Sequence, residues 1–454
     1  MRIVVAGCGY IGQKLIANLV EEGHDVVVLD SSKDVISEIT GIYDVMGVCG
    51  NAGDYETLSS TGVAQADLFI ASTTSDEMNM LSCFIAKRIG AQYTVARIRN
   101  PEYNDDSLGF MKRELGLAMA INPEALAARE LFDILKMPSA AKIETFSGRA
   151  FEIVELKLKE DSQLSGMTLK ELRMRHNARV LICMVQRGNE VYIPGGDFML
   201  KSGDKIGVTA SPAEIEIFLR RFGMMKKKAR SVMILGGGKM TYYLARMLLA
   251  SGNLVTILEK DKKTAEELND VLPGATVVHA SGTHKETLLE EGIESMDAFL
   301  ALTSQDERNI VMAAYAETLN VPKVIVSVDR DEMVDMADKL GLDAVISPKR
   351  IVADVLVRYA RALESSKGSN VETLYKLLDG MVEALEFKVL AETPGVTGIP
   401  LKDLNLKDSI LIAGIARGRK TIVPGGDDML MPGDRVVVLA GGHHRLADLE
   451  DITA

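Results

Sequence analysis

The chain contains one sequence pattern twice. In residues 1–30 an apolar run leads into a glycine-rich turn, an amphipathic helix follows, and a second apolar run ends on an acid. Residues 231–259 repeat these parts in the same order: Gly236 lies 229 positions after Gly7, and Glu259 lies 229 positions after Asp30. Strand, glycine turn, helix, strand and acid is the order of a nucleotide-binding βαβ unit, so two such units are predicted.

Each glycine of the first turn has a mechanical role. Gly7 lets the chain leave the strand sharply, Gly9 lets bare backbone approach a pyrophosphate, and Gly12 lets the helix pack close to the sheet. The helix N-terminus then offers N–H groups and a partial positive charge to the phosphates. Asp30 can accept hydrogen bonds from the ribose hydroxyls and would repel a 2′-phosphate, which favours NAD or ATP over NADP. The alternative is a tight turn without a ligand.

Further candidate residues of the first unit follow its predicted strands, where open α/β sheets bind their ligands. Asn51 and Ala52 would border an adenine, and the threonines after the fourth strand would close the crevice. Arg97 would bind a phosphate or pair with the acids Asp76 and Glu77, whose simpler interpretation is favourable charge at a helix N-terminus. The predicted first site comprises Gly7, Cys8, Gly9, Tyr10, Ile11, Gly12, Asp30, Asn51, Ala52, Thr73, Thr74 and Arg97.

The second unit departs from this pattern at three positions, one of which is Ser327 at the register of Arg97. Thr241 stands at the register of Gly12, where a side chain would push the helix away from the strand. Lys239 stands at the register of Tyr10, where it would reach a phosphate or fill the pocket. We therefore expect the second half to bind adenosine-containing ligands more weakly than the first, or to bind a different one. Its predicted site comprises Gly236, Gly237, Gly238, Lys239, Met240, Glu259, Thr303 and Ser304.

The segments after each unit also match each other. Apolar runs predict strands at 151–158, 180–186 and 205–209, and the second copy has them at 387–390, 410–416 and 435–439. The predicted fold class is α/β, with two Rossmann-like, doubly wound parallel-sheet domains, each followed by a small α+β domain. The expected boundaries are 1–122, 141–225, 230–348 and 369–453.

The motifs resemble the tandem RCK (regulator of potassium conductance) family over essentially the whole chain. The resemblance rests on the glycine turn with Asp30, on Thr-Thr-Ser-Asp-Glu-Met-Asn at 73–79, on Ala-Arg-Ile-Arg-Asn-Pro-Glu-Tyr at 96–103, on Asn-Pro-Glu at 122–124, and on Pro-Gly-Gly-Asp at 194–197 and 424–427.

Several properties are implied by this resemblance. The chain would be a cytoplasmic regulatory subunit that forms a homo-oligomeric ring, of two or four copies, on a Trk-type membrane potassium-transporting subunit. NAD(H), or alternatively ATP or ADP, would bind in the Rossmann domains and bias the gate for potassium uptake.

Two apolar helices suggest contacts beyond their own domains. Segments 124–135 and 350–363 follow matching Asn-Pro and Ser-Pro starts and carry apolar stripes. We expect these stripes to form contacts between subunits or between the two halves. The alternative is a crossover helix that packs only within its own domain.

Catalysis is not expected. Segments 151–223 and 386–454 have no His/Asp or Lys/Tyr pairing suited to a dehydrogenase, and the histidines share no position between the copies. An NAD-dependent oxidoreductase or a redox-sensing regulator is the alternative. A nucleotide-dependent transcriptional regulator is disfavoured by the acidity of the chain and by the lack of a helix-turn-helix pattern.

Length and composition limit the number of domains, the possible partners and the location of the protein. A chain of 454 residues is too long for one core. The formal net charge of −12 argues against nucleic-acid binding, and no apolar run is long enough to insert directly into a membrane. We therefore expect a cytoplasmic protein that meets the inner face of the membrane only through a partner. The four scattered cysteines predict no disulfide framework and no metal site, and Cys8 is expected to be a small buried side chain rather than a redox-sensitive thiol.

Overall fold

The chain folds into two Rossmann domains and two small antiparallel-sheet domains, in alternating order. The computed structural model describes residues 1–454 except 104, 138, 140–141, 147–150, 177–178, 226–227, 283, 343, 366–370, 379–380, 391–392, 394, 419, 442–443, 445 and 447. The expected boundaries at 141 and 369 lie outside the described residues. No helix within the described ranges is long and apolar enough to cross a membrane.

The first Rossmann domain is a six-stranded parallel sheet with strand order β3-β2-β1-β4-β5-β6. Because both faces are covered by helices, its strands are almost uninterrupted apolar runs. The order reverses between β1 and β4, which places a ligand crevice at their carboxyl ends. The strands are β1 (Arg2–Ala6), β2 (Asp25–Asp30), β3 (Met46–Cys49), β4 (Leu68–Ala71), β5 (Tyr93–Arg97) and β6 (Met119–Ile121), and the helices are α1 (Tyr10–Glu21), α2 (Lys33–Ile42), α3 (Tyr55–Ser60), α4 (Asp76–Ile89), α5 (Asp105–Leu115) and α6 (Pro123–Lys136).

The first small domain is a five-stranded antiparallel sheet with strand order β10-β9-β11-β8-β7. Two helices complete it. Its elements are β7 (Lys142–Phe146), β8 (Phe151–Lys157), α7 (Leu169–His176), β9 (Leu181–Arg187), β10 (Glu190–Tyr192), β11 (Lys205–Ala210) and α8 (Pro212–Arg221).

The second Rossmann domain repeats the first, with strand order β14-β13-β12-β15-β16-β17. Its strands are β12 (Ser231–Leu235), β13 (Leu254–Glu259), β14 (Thr276–His279), β15 (Ala298–Ala301), β16 (Lys323–Ser327) and β17 (Val345–Ile346). Its helices are α9 (Lys239–Ala250), α10 (Lys262–Val271), α11 (Lys285–Glu290), α12 (Asp306–Thr318), α13 (Asp331–Lys339) and α14 (Pro348–Ser365).

The second small domain repeats the antiparallel sheet, with strand order β18-β19-β22-β20-β21. Its strands are β18 (Val371–Leu377), β19 (Val382–Lys388), β20 (Ile410–Arg417), β21 (Lys420–Ile422) and β22 (Arg435–Gly441). The expected fold class is confirmed. The strand predicted at 387–390 was placed wrongly, because β19 begins five residues earlier, where Glu383 and Glu386 interrupt the apolar pattern.

The last helix of each Rossmann domain packs into the core of the other one. Leu131 and Leu135 of α6 are buried in the second Rossmann domain, against α9. Leu356 and Ala360 of α14 are buried in the first, against α1. The expected contacts between halves are confirmed, and the alternative of a helix packed only within its own domain is wrong. The exchange joins the two halves at their nucleotide-type turns.

The two small domains also share a core. Phe151 of β8 and Leu439 of β22 belong to one buried cluster that draws on both sheets. The ring centroids of Phe146 and Tyr375 are 4.8 Å apart in an edge-on arrangement. An added Cβ on Gly414 would lie 2.9 Å from the Phe151 ring, so the sheets approach as closely as glycine allows. The four domains therefore form two pairs.

Candidate functional site

The first glycine turn has the geometry that its sequence predicts. Gly7 has a φ of +91°, and an added Cβ would lie 2.6 Å from the Thr73 backbone nitrogen. An added Cβ on Gly12 would lie 2.1 Å from the Gly7 carbonyl oxygen, so α1 can approach the strand only with glycine at this position. A Cβ on Gly9 would meet nothing within 4 Å. The backbone at Gly9 therefore borders open space, as a pyrophosphate cradle requires.

Helix α1 begins without a side-chain cap. Its N-cap residue is Gly9, whereas Ser32, Ser75 and Asn122 cap α2, α4 and α6 by accepting a backbone N–H. Side-chain acceptors normally satisfy the N–H groups of a first turn. An uncapped start beside open space leaves these donors available to an anion.

Asp30 is held at the end of β2 by two backbone donors. Its Oδ2 accepts the N–H of Cys8 at 2.7 Å, and its Oδ1 accepts the N–H of Ser32 at 2.9 Å. Each oxygen has a second lone pair for a ribose hydroxyl. Cys8 is fully buried, and burial together with the charge of Asp30 raises the pKa of its thiol to about 12. A thiol in this state agrees with the expected small buried side chain.

A buried amide that the sequence analysis missed shapes the wall after β4. Asn79 Oδ1 accepts both the N–H and the hydroxyl of Thr73 at 2.7 Å, and Asn79 Nδ2 donates to the Arg97 carbonyl at 2.9 Å. Asn309 makes the same three bonds to Thr303 and Ser327 in the second copy. The signal was present in the sequence, because both the threonine and the asparagine recur 230 positions later.

Arg97 lies in the site, but neither of its expected acidic partners, Asp76 and Glu77, forms an ion pair with it. It is buried, and its Nη2 donates to the Thr73 carbonyl at 2.5 Å. Asp76 instead accepts the N–H groups of Arg99 and Asn100, each at 2.8 Å, and so anchors the loop after β5. Burial, with the charge of Arg99 nearby, lowers the pKa of Arg97. Phosphate binding by Arg97 stays a prediction.

The two residues expected to border the adenine, Asn51 and Ala52, differ in how much of each faces the crevice. The Asn51 side chain accepts the N–H of Gly53 at 2.9 Å, which holds it in a turn at the crevice. Ala52 also borders the crevice but is mostly packed into the core of the first domain. The Thr74 carbonyl accepts a hydrogen bond from Arg99 Nη2 at 2.8 Å. The loops that border the first site are therefore held by hydrogen bonds between side chains and the backbone.

The second glycine turn accommodates its threonine. The Thr241 hydroxyl is fully buried and donates to the Gly236 carbonyl at 2.7 Å, where Gly12 of the first copy leaves no room even for a Cβ. The helix therefore stands further from its turn in the second copy, as expected. Glu259 accepts the N–H groups of Gly237 and Asp261 at 2.6 and 2.7 Å, which repeats the bonding of Asp30.

The two sites open into one crevice between the halves, with a volume of about 1160 Å³. Its lining includes every predicted first-site residue except Cys8 and Gly12, and from the second site it includes Gly238, Lys239, Met240, Thr303 and Ser304. A separate pocket of about 260 Å³ holds Gly236, Gly237 and Glu259. In the described part of the chain, no group of three His, Cys, Asp or Glu side chains could hold a metal ion.

Comparison with known proteins agrees with this duplicated architecture. Residues 3–123 and 232–348 match the family model of the TrkA-N domain, and residues 153–223 and 384–452 match that of the TrkA-C domain. The chain belongs to the TrkA family. The family assignment confirms the resemblance to tandem RCK proteins and accounts for all four domains.

Relatives of this TrkA-family chain match it along its whole length. A protein of Archaeoglobus fulgidus described as a Trk system potassium uptake protein TrkA homolog is 30% identical over 440 residues, which cover 97% of each chain. The Trk system potassium uptake protein TrkA of Haemophilus influenzae is 28% identical over 459 residues, covering 100% of this chain and 98% of the relative.

Solved structures share the fold of this TrkA-family chain at low sequence identity. The structure titled as the GsuK RCK domain has a TM-score of 0.63 and 18% identity, and the match covers 97% of this chain and 92% of GsuK. The structure titled as the GsuK channel bound to NAD has a TM-score of 0.62 and 18% identity, with 97% and 77% covered.

Proposed function

We propose that this chain is the nucleotide-sensing regulatory subunit of a Trk-type potassium transporter. The observation that carries the proposal is the uncapped start of α1, which borders open space beside the fixed carboxylate of Asp30. This is the chemistry that a phosphate and a ribose require. The TrkA relatives, described as potassium uptake proteins, supply the transport context.

NAD(H) is the proposed ligand of the first site, with ATP or ADP as the alternative. Asp30 is suited to an unmodified ribose, and Arg97 is available for a phosphate beside Gly9 and Tyr10. Structures of GsuK are titled as bound to NAD and to ADP, which supports this ligand class for a chain of the same fold. The site residues proposed here are the two sets given by the sequence, with Asn79 and Asn309 as positioning residues.

The shared crevice suggests how ligand binding would act at a distance. A nucleotide that contacts both halves stabilises one relative placement of them by the difference between its affinities for the two states, commonly 1–3 kcal/mol per coupling. Several sites in a ring would approach the roughly 5.5 kcal/mol that swings a two-state equilibrium from 1:99 to 99:1. No chemical step is needed for this role, and we propose that the chain is not an enzyme.

The proposed setting is cytoplasmic. A homo-oligomeric ring of this chain, of two or four copies, would dock on the inner face of a membrane-embedded potassium-transporting subunit. The domain boundaries proposed for constructing variants are 1–122, 141–225, 230–348 and 369–453.

The test combines binding with ion flux. Isothermal titration of the full chain with NADH, ATP and ADP is expected to show saturable binding that Asp30→Asn weakens and that Asp34→Asn, a change at an exposed acid of α2, leaves unaltered. Rubidium flux into vesicles that contain the co-purified membrane subunit is then expected to respond to the same nucleotides. Absence of binding to every adenine nucleotide, or steady oxidation of NADH, would contradict the proposal.

A further inference from the structure

A lysine of the second half lies at the glycine turn of the first half. Lys349 is the second residue of α14, the helix that packs on α1. Its Nζ rests against the ring of Tyr10, the first residue of α1. Only 7% of the Lys349 surface is exposed, and the residue lines the shared crevice together with Gly9 and Tyr10. The exchanged helix therefore brings a cation to the place where the first half would hold phosphates.

This lysine is buried without a counter-ion. In the part of the chain that the structure describes, its Nζ donates to the Asp329 carbonyl at 3.1 Å and pairs with no carboxylate. By contrast, the buried Arg361 pairs with Glu22 and Glu383. Burial alone lowers the pKa of Lys349 to about 8. An ammonium group has three donors, so a buried one with a single carbonyl acceptor has donors left for an anion.

The equivalent position of the other half has the opposite charge. Glu124 follows the helix-starting proline of α6 as Lys349 follows that of α14, and Glu124 also lines the crevice. Its Oε2 is buried without a hydrogen-bond partner. Burial, with the charges of Asp306 and Glu124, raises the pKa of Asp329 on the same side to about 6. The exchange therefore places Lys349 over the first turn, whereas the equivalent position of α6 carries a carboxylate.

We propose that Lys349 is a specificity-determining residue of the first nucleotide site, where it binds the phosphate chain of the nucleotide held at the start of α1. The proposal rests on the proposed nucleotide-sensing function and assigns a residue of the second half to the ligand of the first. Binding of the phosphate chain then ties α14 to α1, which couples occupancy to the placement of the halves.

The test compares ligands that differ only in phosphate, on the full chain. ATP and adenosine are titrated calorimetrically against the wild type and Lys349→Met. ATP affinity is expected to fall roughly 10- to 100-fold, as loss of a charge-assisted hydrogen bond implies, while adenosine affinity stays the same. Lys349→Arg should restore most of the ATP affinity. Lys263→Met, at an exposed lysine of α10, serves as the matched control.

Tyr10→Leu separates ligand binding from a purely structural role. If Lys349 only fixed the Tyr10 ring, Tyr10→Leu and Lys349→Met would weaken ATP and adenosine equally, and that result would overturn the proposal. Unchanged ATP affinity in Lys349→Met would also overturn it, while leaving the sensing function intact. Absence of any adenine-ligand binding by the wild type would instead refute both. Thermal melts of each variant verify that it is folded.

Discussion

Arg361 donates two hydrogen bonds to Glu22, a residue 339 positions earlier in the chain: Nε to Oε2 at 2.7 Å and Nη2 to Oε1 at 2.6 Å. The same guanidinium binds Glu383 at 2.9 and 3.1 Å. Both carboxylates and the guanidinium are largely buried. Arg361 therefore connects the first Rossmann domain, the exchanged helix α14 and the second small domain.

Removing Arg361 should destabilise the whole assembly of domains. Arg361→Met leaves two buried carboxylates without their cation, and loss of one partner of a buried pair typically costs about 3–5 kcal/mol. Urea unfolding monitored by circular dichroism would measure the change in the free energy of unfolding. The matched control is Arg220→Met, which breaks an exposed i,i+4 pair with Glu216 and should cost less than about 0.5 kcal/mol. Equal effects of the two substitutions would contradict the connecting role of Arg361.

Substitutions at two glycines of the first turn should have different effects, one on stability and the other on nucleotide binding. Gly12→Ala places a Cβ against the Gly7 carbonyl and should lower the free energy of unfolding by about 1–3 kcal/mol, the usual cost of overpacking. Gly9→Ala meets no protein atom, so its stability should stay within about 0.5 kcal/mol of the wild type. Its nucleotide affinity should nevertheless fall at least about tenfold, because the methyl group occupies the place of the pyrophosphate. Thermal melts and NADH titration measure the two effects, and a Gly9→Ala protein with full NADH affinity would rule out this cradle.

The junction between the halves should make stability depend on pH. A cavity of about 370 Å³ there contains Glu130 of α6, which faces Lys142 and Glu144 of β7 and Asp354 and Arg358 of α14. Burial, with the charges of Glu144 and Asp354, raises the pKa of Glu130 to about 7, although Lys142 acts in the opposite direction. Between the ordinary carboxyl pKa and about 7 the folded protein holds more protons than the unfolded chain. The contribution of Glu130 to the free energy of unfolding is therefore fully present below the ordinary carboxyl pKa, and it is lost as the pH rises through about 7.

Glu130→Gln tests this dependence. Between pH 5 and pH 8 the free energy of unfolding should fall by roughly 1–2 kcal/mol less in the variant than in the wild type. Urea unfolding at a series of pH values measures the difference. Glu266→Gln, at an exposed acid of α10, is the control and should leave the pH profile unchanged. If the stability of the wild type instead rose with pH over this interval, and Glu130→Gln removed that rise, the predicted sign would be wrong.

The helix exchange predicts the behaviour of a half chain. A protein that ends at residue 225 retains α6 but lacks both α9, which α6 covers, and α14, which covers α1. Because the two halves are repeats, α6 of one copy can cover α1 of another, and a homodimer is expected. Sedimentation equilibrium would detect the dimer, and Leu131→Asp should abolish it by placing a charge in the apolar contact. A monomeric half chain that binds no hydrophobic dye would mean that α6 folds back onto its own domain.

Repetition made some residues of the site predictable and left others hidden. Glycine turns and strand-end acids have local roles, so Gly7, Gly12 and Asp30 were found from spacing alone. Asn79 was overlooked, although its recurrence as Asn309 was visible, because a buried amide inside a helix has no distinct local signature. Arg97 was placed in the site, but Asp76 bonds to the loop after β5 instead, because that loop turns its backbone N–H groups toward the carboxylate.

The small domains show the limit of apolar patterns. The strands at 151–158, 180–186 and 205–209 were found because one face of each is buried and apolar. Strand β18 was not predicted, and β19 was placed too late, because polar and charged side chains interrupt the apolar runs of both strands. Burial between the two sheets decides these strands, and that burial exists only after the small domains pair.

The sequence alone determined the two nucleotide-type units, the doubly wound parallel type of their sheets and the carboxylates at the ends of their second strands. These features could be predicted because hydrophobic periodicity and glycine conformation act over a few residues. Only the tertiary structure decided which apolar surface each last helix covers. The stripes of α6 and α14 fit either Rossmann domain equally well in sequence, and the choice depends on packing between residues more than 100 positions apart. That choice places Lys349 beside Tyr10, and no local pattern could have indicated it.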